Sequence, residues 1–276
     1  MKLQRAQRKQ VKLRLNLSGP SGSGKTMSAL RMAFGITNDW SKIAVIDTEN
    51  GSASLYSHLG EFNTIDLTAP HTPEKYIEAL NICAKAGMEC VIIDSTSHEW
   101  DTLLEENEKL AQSRFRGNTW AAWSQTTPRH DRFVKSILTS PFHVITCTRS
   151  KTDTIITDDK KVKKVGMKDR QREGWEYELT VSLEIDRDTH LASASKDRTG
   201  LFTNALPFLI TEETGEKIME WCNTGAKVKT AEEKLNEATT LAELANIYTS
   251  LSIEEKTRTQ ELKDELKLKF ETNGTN

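Results

Sequence analysis

The sequence predicts an α/β fold, a mostly parallel and doubly wound sheet with an antiparallel hairpin at one edge and a small helical appendage at the C-terminus. Three observations carry the prediction. Short apolar runs rich in β-branched residues alternate with helical patterns, as parallel strands joined by crossover helices do. A glycine-rich turn links the first run to the first helix. Beyond Trp221 the composition shifts to Lys, Glu, Leu and Ala.

The runs Val11 to Leu17, Lys42 to Ile46 and Cys90 to Ile93 each end in polar or turn residues, which reads as strands buried on both faces. Helical patterns run from Lys25 to Phe34 and from Pro73 to Lys85. The second opens with Thr72 as N-cap, Pro73 at the first helical position and Glu74 in the first turn. A helical stretch, Arg129 to Leu138, precedes a fourth expected strand at Phe142 to Cys147. Residues 150–174 are polar, lysine-rich and aperiodic, so a long surface loop is expected there. Tyr177 to Ile185 and His190 to Ser195 then alternate apolar and polar residues around Asp186-Arg187-Asp188-Thr189, the pattern of an antiparallel hairpin. In the last segment Leu241, Leu244, Ile247, Tyr248 and Leu251, and again Leu262, Leu266 and Phe270, mark two amphipathic helices forming a helical hairpin. The expected organisation is a core over residues 1–225 and a helical hairpin over 226–276.

With 276 residues, 36% of them hydrophobic, the chain can bury one full-sized core and an appendage, not two equal domains. A net charge of -2 gives no global attraction to nucleic acid or anionic membrane, so any polyanion site must be local. Cys83, Cys90, Cys147 and Cys222 form no CxxC pair and have no His at ligand spacing, so neither a disulfide framework nor a zinc site is suggested and a reducing compartment fits. Neither a signal peptide nor a run of about 18 apolar residues is present. A cytoplasmic protein without a membrane partner is expected.

Gly19-Pro20-Ser21-Gly22-Ser23-Gly24-Lys25-Thr26 fits GxxxxGK[ST] between an expected strand and an expected helix, the context of a phosphate-binding loop. A chance match in a chain this long has odds on the order of one in a hundred at ordinary residue usage. The glycines let the backbone curl so that successive amides face a phosphate, and the helix start adds a favourable field. Lys25 is expected to bridge the β- and γ-phosphates of ATP, with Met27 next along the helix. Thr26 is expected to place its hydroxyl on magnesium, which demands oxygen ligands. Cys90-Val91-Ile92-Ile93-Asp94 ends in a carboxylate, and Asp94 is the second expected magnesium ligand; alone, an Asp ending a core strand is common. Asp94 is followed by Ser95 rather than a glutamate, so the base must lie elsewhere. Asp47 and Glu49 end the second strand at the carboxyl edge, where ligands of open α/β sheets bind. Glu49 is the candidate base.

These residues, Gly19 to Thr26, IDTENGSASLY from Ile46 and VIIDS from Val91, resemble the ATPase core of the RecA/RadA recombinase superfamily, a RecA-like P-loop NTPase fold. The longer run through IIDSTSHEW, TPRHDRF, SKTD, VGMKDRQREGWEYELT and SKDRTGLF is similar to phage-encoded, AAA-family RecA-like ATPases of the single-strand annealing or recombination type. That likeness spans roughly residues 11–221. It implies that Glu49 acts on the attacking water, that Lys196 and Arg198 of Lys196-Asp197-Arg198 form a finger reaching ATP held by a neighbouring subunit of a homo-oligomer, and that single-stranded DNA and phage recombination or replication proteins are partners. The plainer reading of Lys196 and Arg198 is a solvated strand end.

A local polycation, Lys160, Lys161, Lys163, Lys164, Lys168, Arg170 and Arg172, lies beside Trp175. Cations that track phosphates and rings that stack on bases suit single-stranded nucleic acid, although a solvated loop next to a core Trp has the same composition. Trp120 and Trp123, near Arg114, Arg116 and Arg129, read first as a core-facing helix pair and second as an extension of that surface. His98 and Glu99 are further nucleotide-sensing candidates, as are Thr146, Thr148 and Arg149. Two other functions share the motifs. A small-molecule kinase is one, because GPSGSGKT also resembles the guanylate kinase loop; a non-catalytic nucleotide-binding scaffold is the other.

Overall fold

The structure is a computed structural model that describes residues 10–156, 162–226 and 229–273. The chain divides into two units, one spanning Val11–Asn223 and a smaller one built chiefly from Thr224–Asn276.

The larger unit is an α/β fold. Its strands are β1 (Arg14–Gly19), β2 (Ile43–Asp47), β3 (Asn63–Asp66), β4 (Cys90–Asp94), β5 (His143–Ile156), β6 (Val162–Asp169), β7 (Val181–Ile185) and β8 (Ala192–Asp197). The sheet order is β3-β2-β4-β5-β1-β7-β8, parallel throughout except for β8, which runs antiparallel to β7 at the edge. Alternation along each central strand sends successive side chains into two cores. Leu15, Leu17, Ile43, Val45, Cys90, Ile92 and Ile145 face one side, with helices α1 (Lys25–Thr37) and α5 (Glu212–Asn223). Ala44, Ile46, Val91, Ile93 and Val144 face the other, with α2 (Pro73–Lys85) and α4 (Thr119–Thr139). Helix α3 (Ser97–Arg114) packs on α4. α1 and α5 meet backbone to backbone, because a Cβ on Gly35 would stand 1.9 Å from the Glu212 carbonyl oxygen and one on Gly215 would stand 2.2 Å from that of Met32.

The expected long loop at residues 150–174 is instead mostly strand. β5 runs on beyond the sheet core and pairs antiparallel with β6, Ser150 opposite Asp169 and Lys151 opposite Lys168. The segment has the β-branched content of strands in Thr152, Thr154, Ile155, Ile156, Val162 and Val165, but no alternation, so no period revealed it. Tyr177, expected to begin a strand, lies in a 3-10 turn, Trp175–Glu178. α3, α5 and the edge strand β3 were not foreseen; α3 carries charge around much of its surface and β3 is mostly exposed.

Among the described residues the smaller unit has three helices where a two-helix hairpin is expected: α6 (Ala231–Asn236), α7 (Leu241–Ser250) and α8 (Ile253–Asn273). Ala231, Leu235, Leu244 and Leu251 form its core, with Leu262, Leu266 and Phe270 packed around them. The short α6 is started by a capping box in which Thr230 and Glu233 bond each other's backbone N–H. Among the described residues, no helix is long and apolar enough to cross a membrane.

Candidate active site

The turn after β1 curls back on itself before α1. Gly22 and Gly24 adopt φ of 81° and 88°, left-handed values that only glycine takes without strain, and Gly24 is the residue from which α1 starts. Lys25 is 8% exposed and donates from Nζ to the carbonyls of Gly19 and Pro20, each at 2.9 Å. Ser23 is buried and its Oγ has no hydrogen-bond partner, while its carbonyl accepts from His190 Nδ1 at 3.1 Å. His190 thereby ties the turn between β7 and β8 to the phosphate loop, a link that no sequence signal announced.

Thr26 donates from its hydroxyl to Asp94 Oδ2 at 2.5 Å, so the two expected magnesium ligands, far apart in sequence, are in contact. Asp94 is 2% exposed, and burial pushes its carboxyl up to about 6, with the Thr26 hydroxyl pulling the other way. A buried acid beside a hydroxyl is a donor set of oxygens only, suited to a hard divalent cation. An orphaned buried hydroxyl, an ammonium satisfied only by loop carbonyls and this oxygen pair together fit a magnesium-bound nucleotide.

Glu49 lies across the same edge, since β2 and β4 are in register with Asp47 opposite Asp94. Asp47 is engaged by the loop backbone. Its Oδ1 accepts from the Glu49 N–H at 2.6 Å and its Oδ2 from the Ala53 N–H at 2.7 Å, so it shapes the loop that carries Glu49. Glu49 Oε1 accepts from Arg149 Nε at 3.0 Å and Nη2 at 2.7 Å. Of the three sensing candidates ending the fourth strand, only Arg149 faces this site; Thr146 and Thr148 both donate to Asn16 Oδ1, at 2.9 and 2.7 Å. His98 contacts the Thr48 hydroxyl at 2.7 Å and stacks on His71. Glu99 does not reach the nucleotide edge: it is fully buried and bonded to His130 Nδ1 at 3.0 Å.

Lys196 and Arg198 point the same way, as alternation requires, but onto their own chain. Lys196 Nζ donates to the Glu176 carbonyl, and Arg198 Nη2 to that of Tyr177 at 2.7 Å. The register places Asp197 opposite Val181 and Val181 opposite Leu15, so both cations stand toward the amino end of the sheet, away from the phosphate loop of the same chain.

The expected nucleic-acid residues divide. Lys160 and Lys161 lie outside the described residues. Lys163 and Lys164 sit on β6, opposite Ile155 and Thr154. Lys168 is exposed. Arg170 is paired with Asp101 at 2.6 Å and Arg172 with Asp131 at 3.0 Å, so part of the expected polycation is neutralised by acidic residues on helices α3 and α4. Trp175 is 5% exposed and stacks on Phe133, which makes it a core residue. The Trp120 and Trp123 pair splits as well: Trp123 stacks on Trp100, whereas Trp120 is 85% exposed. Nearby Arg129 is held by Glu74 and Glu106, and the Glu74 carboxyl is pulled down to about 2, chiefly by that hydrogen bond.

The family model of the AAA domain matches residues 11–205. The chain belongs to the AAA domain family. Its chemistry is therefore that of a P-loop ATPase, the binding and hydrolysis of ATP, and the matched span contains the phosphate loop, Glu49, Asp94, Arg149 and the β5–β6 arm. A comparison with curated proteins returned no match.

Proposed function

We propose that this AAA domain protein is a magnesium-dependent ATPase stimulated by single-stranded DNA, working as a homo-oligomer with ATP between neighbouring subunits in phage DNA recombination, annealing or replication. The observation that carries the catalytic part is the Thr26–Asp94 contact of 2.5 Å with Glu49 at the neighbouring strand end. Lys25 neutralises phosphate charge from within the loop, and the loop amides orient the phosphates. Thr26 and Asp94 hold magnesium, which when bound offsets the charge that develops on the phosphate oxygens. Glu49 accepts the proton of the attacking water.

Support for single-stranded DNA comes from the β5–β6 arm, which leaves the sheet directly beside the phosphate loop with Lys151 and Lys168 exposed at its base. Support for a shared site comes from Lys196 and Arg198, a cation pair remote from the phosphate loop of its own chain. ATP turnover measured with and without single-stranded DNA and magnesium tests the reading, beside the Lys196→Ala, Arg198→Ala double variant. Turnover that needs magnesium, rises with DNA and is lost in the double variant is the expected result; turnover indifferent to DNA removes the nucleic-acid part.

A further inference from the structure

The phosphate loop is bracketed from outside by the turn that joins β7 to β8. Where β7 ends, the Ile185 carbonyl stands so close to Gly19 that a Cβ there would lie 2.8 Å from it. Where the turn closes, His190 Nδ1 donates to the Ser23 carbonyl at 3.1 Å, and a Cβ on Gly24 would lie 3.6 Å from the same nitrogen. Because a carbonyl oxygen only accepts, Nδ1 carries the proton. The turn is held by its own bonds. Asp186 Oδ1 accepts from the N–H groups of Asp188 and Thr189 and from the Thr189 hydroxyl, and the His190 N–H donates to the Asp186 carbonyl at 3.0 Å. His190 has φ of 57°, in the left-handed region where glycine is at ease and a residue with a β-carbon is less so. The backbone alone would favour glycine there; what histidine adds is a donor aimed at the loop.

A peptide unit is planar and trans, so its C=O and its N–H point in opposite directions. In the unit that links Ser23 to Gly24, a carbonyl drawn outward to His190 turns the Gly24 N–H inward, at the residue from which α1 starts. Among the described residues no acceptor meets that N–H, and an unpaired amide at a helix start is a donor for phosphate. Glycine leaves this peptide free to turn either way, so a hold from outside the loop matters. We infer that His190 is a positioning residue for the nucleotide: it holds the Ser23–Gly24 peptide so that the Gly24 amide faces the phosphates. This rests on ATP binding at the phosphate loop and on neither DNA nor the identity of the base. The contribution is to affinity and not to the chemical step, because the amide meets phosphate in the ground state and the transition state alike.

Binding of a fluorescent ATP analogue with magnesium, beside steady-state ATP turnover, tests the assignment in the full chain for wild type, His190→Gly and His190→Asn. Both replacements accept the left-handed backbone, and thermal melts without nucleotide check that each is folded. They differ in the donor: the Asn amide nitrogen is as many bonds from Cα as His Nδ1 and can take its place, whereas glycine has no side chain to donate. His190→Gly is expected to weaken analogue binding and raise KM about fivefold, the scale of one hydrogen bond, with kcat unchanged at saturating ATP. His190→Asn, which restores that bond, should stay within about twofold of wild type. A His190→Asn protein as weak as His190→Gly overturns the inference, because the donor would not be the cause. A fall in kcat at unchanged KM overturns it as well, since His190 would then act on the chemical step. A wild type that fails to bind the analogue removes the ATP reading beneath it; binding that is tight in wild type and untouched in His190→Gly removes this assignment alone.

Discussion

Two pairs of cations on one sheet are used in opposite ways. At the carboxyl edge, Lys25 and Arg149 stand with the loop amides, Thr26, Asp94 and Glu49; Arg149 bonds the Glu49 carboxylate, while Lys25 is held by the Gly19 and Pro20 carbonyls of the phosphate loop. Toward the amino end, Lys196 and Arg198 donate to two consecutive backbone carbonyls of a 3-10 turn, with Lys196 lying over the Tyr177 ring at 5.9 Å. Arg149 is placed against a carboxylate far away in sequence and Lys25 by its own loop, whereas Lys196 and Arg198 are aligned by the strand alternation of a tripeptide. The surroundings differ: Lys25 and Arg149 are flanked by the Thr26–Asp94 contact and Glu49, whereas Lys196 and Arg198 meet carbonyls and the Tyr177 ring of their own chain.

The largest expected effect belongs to the Lys196→Ala, Arg198→Ala variant. If these cations act on ATP held by a neighbour, turnover at saturating protein falls by about 10³ or more, the scale of a trans cation in phosphoryl transfer. If they only fasten the turn, turnover persists and the melting temperature alone declines. At the other edge, Glu49→Gln should lower kcat by about 10² to 10⁴, the range for removing a general base, while nucleotide binding remains. Lys25→Ala should cost roughly 10² to 10³ in kcat, as loss of a charge-stabilising donor does.

A smaller effect is expected from pH. Burial pushes the Asp169 carboxyl up to about 6 from 3.8, against the pull of the Ser18 hydroxyl. Between those values the folded protein keeps a proton that the unfolded chain releases, so this group lowers stability as pH rises from about 4 to 6. The melting temperature of Asp169→Asn relative to wild type should therefore climb across that interval, measured by thermal melts without nucleotide. Smallest of all, Thr230→Ala removes the capping box of the C-terminal unit and should cost about 1 kcal/mol of that unit's stability, with ATP turnover unchanged.

The legible parts of the molecule were those where cause and effect are close in sequence. Gly19 to Thr26 spells its own backbone path, and the strands at Ile43, Cys90 and His143 announce themselves because burial on both faces demands continuous apolar residues. Thr230 and Glu233 form a capping box that could have predicted α6. The arm was not legible, since residues 150–169 carry no period-2 alternation of apolar and polar residues. Trp175 stays open in the sequence between a stacking ring and a core residue, because composition records only an aromatic beside lysines; packing decides that the ring stacks on Phe133.

By itself, then, the sequence determined the α/β class, the phosphate loop, the strand ending in Asp94 and the position of Glu49, because hydrophobic period and local turn chemistry are written in consecutive residues. Tertiary structure decided that Thr26 touches Asp94, that Asp47 accepts from the loop backbone at Glu49 and Ala53, that Arg149 bonds Glu49, and that Arg170 and Arg172 are paired with Asp101 and Asp131. Each of those depends on strand register and on distances between segments far apart in the chain, which parallel pairing sets and no local pattern encodes.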